Sequence, residues 1–363
     1  MKILFLTPPT PKPIRDYGAG LTSHINNRQV VNHINISMPI PAWGLYWIKE
    51  NVPGVDIIDN PSWERIEAEF RKGVDILGIS FYTYQYHDTM RLIAMARRYG
   101  VKEIWGGNYG IQTPGIADHF DRVFWGNAEK EIHARLYGSE PSELRHPVFL
   151  GEALLQSSLT GMVGKAVNRL GILCNDIGVL YTHTGCAYGC TFCSSPPFIK
   201  KTGQRIPMDE ITRVLDAYQD YGIDSIKIMD LTFLDNKAHS EMVIREFEKR
   251  GMQWMCMTRV DKLLGRVREL EERGLYFALL GIESLNNKSL DSMRKKESRE
   301  MCLEVLEEIK ANNLWVNMAC MIAQPEDTVQ SIRKEVDFLN RYNLGVYQFN
   351  VITPYPGTAM VTV

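Results

Sequence analysis

The stretch CAYGCTFC, Cys186 to Cys193, holds three cysteines in a chain that has seven in 363 residues. It follows an apolar run, Gly178–Thr182, that reads as a strand, and beyond it strand-like and helix-like patterns alternate. Further strands are expected at Ser225–Met229, Trp254–Thr258, Tyr276–Ile282, Trp315–Ile322 and Val346–Ile352. Between them, apolar residues recur at helical spacing: Ile211, Val214, Leu215 and Tyr218; Cys302, Val305, Leu306 and Ile309; Val329, Ile332, Val336 and Leu339. That pattern predicts six β/α units, with the cysteines in the loop after the first strand, at the end where such arrays carry their chemistry.

Upstream the same alternation is looser. Strands are expected at Ile3–Leu6, Val55–Ile58, Ile76–Phe81, Glu103–Trp105 and Arg122–Phe124, and helices at Gly44–Glu50, Trp63–Arg71, Thr89–Arg98 and Glu129–Leu136. Residues 1–138 therefore read as a Rossmann-like, doubly wound parallel sheet, whose ligand crevice lies outside the carboxyl ends of its strands. Several of those ends carry turn residues, as at Gly106-Gly107-Asn108. Residues 139–175, weakly periodic and holding Pro141 and Pro147, are expected to be a linker, and 176–363 the second domain.

With 45% hydrophobic and 23% charged residues and a net charge of -2, the chain has no bulk electrostatic reason to bind nucleic acid or anionic lipid. The apolar run Ile3–Leu6 is too short for a signal segment or a membrane span, so a cytoplasmic protein is expected. Cys174, Cys256, Cys302 and Cys320 are scattered through apolar segments, as buried free thiols would be, and no disulfide framework is indicated.

The C-x3-C-x2-C spacing admits two metals. Structural zinc would take His183 as a fourth ligand and give a zinc-stabilised, non-catalytic binding protein. An iron–sulfur cluster would place three thiolates on three irons and leave one iron open to an external ligand. Zinc accounts for the count of ligands, and the cluster accounts better for their position after the first strand.

From about Asp176 onward the chain resembles the radical S-adenosylmethionine (SAM) superfamily, whose CxxxCxφC signature is matched by Cys186, Cys190, Phe192 and Cys193. Four further segments resemble the family's in order: IKIMDLTFLDN (226–236), LLGIESLNNKSLDSMRK (279–295), MIAQPEDT (321–328) and VITPYPGT (351–358). Ala323 and Glu326 depart from the pattern, standing where glycine is usual. The resemblance implies a partial (β/α)6 TIM-type barrel, a [4Fe-4S] cluster on the three cysteines, and cleavage of SAM to a 5'-deoxyadenosyl radical. It also implies Phe192 against the adenine, Asp230 and Glu283 at the methionyl amino group and ribose hydroxyls, and an electron donor such as flavodoxin or ferredoxin. Asp230 has a second reading, as the cap of the helix that follows it.

Residues 1–137 resemble the cobalamin-binding domain that precedes the radical SAM domain in one subclass, through LTPPTP, PAWGLYWIKE, VDIIDN, DILGISFYTYQY, IWGGNYG and FWGNAEKEI. Candidate contacts are Gly106 and Gly107, whose backbone would approach a planar ligand, with Thr83, Tyr84 and Asn108 at its edge. The D-x-H-x-x-G segment that supplies an axial histidine elsewhere is absent, and His87 is expected on a helix surface. Either cobalamin binds without a protein histidine or the domain keeps only the fold. The implied function is cobalamin-dependent methylation of an unactivated carbon in a small-molecule or natural-product substrate, with ring formation or rearrangement as the alternative within the class.

Overall fold

A computed structural model describes residues 1–9, 42–149, 177–199, 203–312 and 314–361. Five strands, β1 (Ile3–Leu6), β2 (Val55–Ile58), β3 (Ile76–Ser80), β4 (Glu103–Gly107) and β5 (Arg122–Val123), form one sheet in the order β2-β1-β3-β4-β5. All its pairings are parallel, with Ile3 opposite both Val55 and Ile76. Every residue of β1 is buried, as its uninterrupted apolar run requires of a strand covered on both faces. The chain leaves β1 for β2 on one side and returns to β3 on the other, which makes the β1/β3 carboxyl ends the switch point of a doubly wound sheet.

The second sheet takes its strands in sequence: β6 (Ile177–Leu180), β7 (Ser225–Ile228), β8 (Gln253–Arg259), β9 (Leu275–Glu283), β10 (Trp315–Ile322) and β11 (Gly345–Val351), all parallel. The connecting helices bury the faces their periodicity indicates, including Ile211, Val214, Leu215 and Tyr218 on Met208–Asp220. Helix Lys237–Arg250 starts where the Asn236 side chain accepts from the His239 amide and stops at Gly251, φ +64°, a left-handed turn that glycine adopts without strain.

The stretch expected to be a linker is, in its described part, packed structure. His146 (0% exposed) and Phe149 (1%) enter the core of the second sheet. The His146 Nε2 accepts from the Tyr181 amide at 2.8 Å, and the Asn51 side chain exchanges bonds with Arg145. Composition could not reveal this, because the bonds are made by backbone groups and by partners about 35 and 94 residues distant in the chain. Residues 150–175 of that stretch, with Cys174, lie outside the described residues. Cys256, Cys302 and Cys320 are buried free thiols. No helix among the described residues is long and apolar enough to cross a membrane.

Candidate functional site

Beyond β6 the chain turns at Thr182 and His183 into the cysteine loop, and that turn is fixed by Asp230 at the end of β7. The Asp230 carboxylate accepts from the Thr182 amide (2.7 Å), the Thr182 hydroxyl and the His183 amide (3.2 Å), and lies 2.9 Å from His183 Nδ1. A carboxylate offers about four lone-pair directions, and all are in use. Asp230, 1% exposed, is thus a brace between two strand ends. The cap of helix Lys237–Arg250 is Asn236, not Asp230.

Within the loop, the Tyr188 hydroxyl donates to Asp235 (2.7 Å), and the Arg259 guanidinium at the end of β8 lies 3.8 Å from the Tyr188 ring centre. The Thr191 amide donates to the Met293 carbonyl at 3.0 Å. Three strand connections therefore hold one eight-residue loop, and the thiols of Cys186, Cys190 and Cys193 on it are free and half-buried. Burial pushes the Cys186 and Cys190 thiols up, while Lys295 and Arg259 pull Cys190 the other way. Thiols in such surroundings bind metal by exchanging their protons for it. Among the described residues no three His, Cys, Asp or Glu groups are disposed to hold a single metal ion. Three thiols in one loop are the donor set that a cluster with one open iron takes. Phe192 is half-buried between Cys190 and Cys193.

Glu283 ends β9 with φ +65°, at a register shift between β9 and β10. Its Oε1 accepts from Lys295 Nζ at 3.2 Å, and its other oxygen has no hydrogen-bond partner among the described residues. Gly281 makes room for the pair: a Cβ there would stand 2.6 Å from Glu283 Oε1 and 3.0 Å from Lys295 Nζ. Lys295 also faces Glu297 (3.7 Å), which Arg259 meets at 3.3 Å. Sequence reasoning missed Arg259, Lys295 and Glu297; Lys295 and Glu297 are buried, while Arg294 and Lys296, both at positive φ, are exposed. Ser284 ties this turn to Glu335, which also accepts from the Leu285 amide at 3.0 Å. Ala323 keeps the left-handed turn of the glycine it replaces, at φ +65°.

At the carboxyl edge of the first sheet a cavity of about 220 Å³ lies between that sheet and the cysteine-bearing lobe, reached by Gly106, Gly107, Asn108, Tyr82, Trp43 and Glu129. A Cβ on Gly107 would meet nothing closer than the Phe124 carbonyl at 3.9 Å. Gly106 is glycine for another reason: its Cβ would press on the Phe120 ring at 3.0 Å. Asn108, at φ +71°, donates to Ser80 and accepts from the Tyr109 amide. Thr83 and Tyr84 do not line the cavity: Thr83 is bonded to Thr113, and Tyr84, 48% exposed, is the outer member of a stack with Tyr82 and Tyr109. Tyr82, two positions before Tyr84, occupies the place expected for it. His87 is exposed on its helix.

The two sites meet. Helix Ser195–Ile199 begins two residues after Cys193, and Ser195 Oγ is 2.9 Å from the Tyr109 hydroxyl. Phe198 packs on Tyr109 with ring centres 4.5 Å apart, and the Asn127 side chain donates to Thr184 at 2.6 Å.

Residues 180–339 match the family model of the radical SAM superfamily. Over 190 residues the chain is 26% identical to an uncharacterized methyltransferase of Pyrococcus horikoshii, a match covering 50% of this chain and 41% of that protein. It is 23% identical over 339 residues to the bacteriochlorophyllide d C-12(1)-methyltransferase of Chlorobaculum tepidum, covering 89% of this chain and 73% of that one. The radical SAM methyltransferase TsrM of Kitasatospora setae, solved with cobalamin and a [4Fe-4S] cluster, aligns with a TM-score of 0.67 at 14% identity, over 99% of this chain and 73% of its own. The cobalamin-dependent SAM radical enzyme OxsB, solved with aqua-cobalamin and SAM, aligns with a TM-score of 0.62 at 14% identity, over 96% and 53%. Residues 180–339 thus match the radical SAM family model, and the chain shares the two-sheet fold of TsrM and OxsB.

Proposed function

We propose that the chain holds a [4Fe-4S] cluster on Cys186, Cys190 and Cys193, cleaves SAM reductively, and methylates an unactivated carbon of a small-molecule or natural-product substrate with cobalamin at the carboxyl edge of the first sheet. The observation that carries this reading is adjacency. The cysteine loop runs directly into the helix that bonds to Tyr109 beside the cavity. When bound, the cluster would supply the electron that splits the sulfonium bond, and cobalamin the methyl group.

The chain's own residues would position these groups. Cys186, Cys190 and Cys193 give up their protons to hold three irons, and Arg259 and Lys295 offset the negative charge there. Phe192 takes the adenine, and the open oxygen of Glu283 takes a SAM amino or hydroxyl donor. Gly107, with Asn108 and Tyr82 beside it, would help to hold the corrin. A one-electron donor of the flavodoxin or ferredoxin type and a cytoplasmic location, where thiols stay reduced, suit this chemistry.

The test is anaerobic reconstitution with iron, sulfide, cobalamin, SAM and a reductant. A brown protein that releases 5'-deoxyadenosine is expected, and product mass then separates methylation from ring formation or rearrangement. Stoichiometric zinc with iron and sulfide near zero would overturn the reading.

A further inference from the structure

Among the described residues lining the first-sheet cavity, Glu129 is the sole charged one. It begins helix Glu129–Tyr137, is 6% exposed, and has no hydrogen bond or ion pair with another described residue; its carboxyl meets only its own amide. Trp43, Trp47, Trp105, Phe124 and Ile132 line the same cavity. Burial pushes its pKa up to about 7.

Among the described residues, no cation pairs with this carboxyl. The other titratable groups among the described residues at the cavity are the phenols of Tyr82, Tyr109 and Tyr181; burial pushes Tyr109 up to about 12 and Tyr181 well above its ordinary value. On the facing helix Trp43–Asn51, Lys49 and Glu50 are exposed. On its own helix Lys130, Glu131 and Arg135 are exposed and His133 is bonded to the Ser139 carbonyl. On β4, Glu103 accepts from the Trp105 indole and faces Arg135 at 3.6 Å, and on β5 Arg122 is exposed.

A carboxylate isolated in an apolar cavity is costly, whereas the neutral acid needs one acceptor for its O–H and one donor for its C=O. A carboxamide offers both side by side. We propose that this cavity receives a carboxamide, which pairs with the neutral Glu129 carboxyl through two hydrogen bonds: acid O–H to amide C=O and amide N–H to acid C=O. The size agrees, because a cavity of about 150 Å³ holds benzene. A space of about 220 Å³ therefore has room for one ring or one amide arm. If the cobalamin reading holds, the arm is one of the carboxamides on the corrin rim.

Two probes test this on the full chain between pH 6 and 8.5: benzamide, followed by ligand-observed NMR titration, and hydroxocobalamin, followed by visible absorbance of the protein fraction after gel filtration. Both should bind more weakly above pH 7, tending toward about tenfold per pH unit as the carboxyl ionises. Glu129→Gln, which keeps a neutral donor and acceptor, should retain binding and lose the pH dependence. Glu129→Leu should weaken both probes by about tenfold or more. Benzamide that fails to bind the unmodified chain, or that is indifferent to Glu129→Leu, overturns the proposal. Cobalamin taken up with no dependence on Glu129 and no benzamide binding overturns it while sparing the cofactor reading. Benzamide binding governed by Glu129 without cobalamin uptake sustains it and overturns the cofactor reading alone.

Discussion

The mouth of the second sheet and the edge of the first are built in opposite ways. Around the cysteine loop the chain uses charge: Asp230 with four donors, Arg259 over Tyr188, and Lys295 between two carboxylates. At the first sheet's edge it uses shape, with tryptophan walls, a bare Gly107 and one carboxyl. The first arrangement fixes a loop before any metal arrives. The second leaves a space that is complete only when filled. A cluster needs three thiols held in register, whereas a large organic ligand brings its own rigidity and asks mainly for room.

The sharpest break of this comparison is at the thiols. Cys186→Ala, Cys190→Ala or Cys193→Ala should each remove most bound iron and all 5'-deoxyadenosine formation, measured by iron and sulfide analysis and by chromatography. Cys302→Ala, in the core, should leave both intact; the reverse pattern would reassign the site. Gly107→Leu should abolish cobalamin uptake, read by visible absorbance, while the iron content and urea midpoint stay at the unmodified values. A shifted midpoint would mean that the cavity wall is structural after all.

Lys295→Met should lower stability by about 3 kcal/mol in urea unfolding, because it leaves Glu283 and Glu297 buried without their cation. His146 offers a pH test. Burial holds its imidazole at about 4, below its ordinary 6.5, so the unfolded chain binds a proton that the folded one refuses. Stability is full above pH 6.5 and should fall by up to about 1.4 kcal/mol per pH unit as pH drops from 6.5 toward 4. His146→Gln should flatten that limb of the urea midpoint against pH. The smallest effect is Ala323→Gly, which relieves a left-handed alanine and should stabilise by about 1 kcal/mol or less.

The strands were legible to within about two residues, since each pairs a continuous apolar run with turn residues at its end. The cysteine loop could be picked out because its three thiols fall within eight residues. Tyr82 was missed in favour of Tyr84 because a one-turn 3-10 helix at Thr83–Gln85 breaks the alternation that would have told them apart. Asp230 looked available because its four donors come from about 47 residues upstream. Glu129, at the first position of its helix, was not singled out, because its burial depends on packing that no local pattern shows.

The bond between Tyr109 and Ser195 joins the two sites mechanically. Ser195 is two residues from Cys193, and Tyr109 follows Asn108 at the rim of the cavity, so a tilt of one sheet against the other must bend the cysteine loop or break that contact. Any ligand that prefers the docked arrangement at one site then raises affinity at the other by the same factor, in both directions. Loading of the two sites becomes a coupled equilibrium: cluster-bearing protein should take up the first-sheet ligand more tightly than stripped protein, and the ligand should in turn slow loss of iron to a chelator.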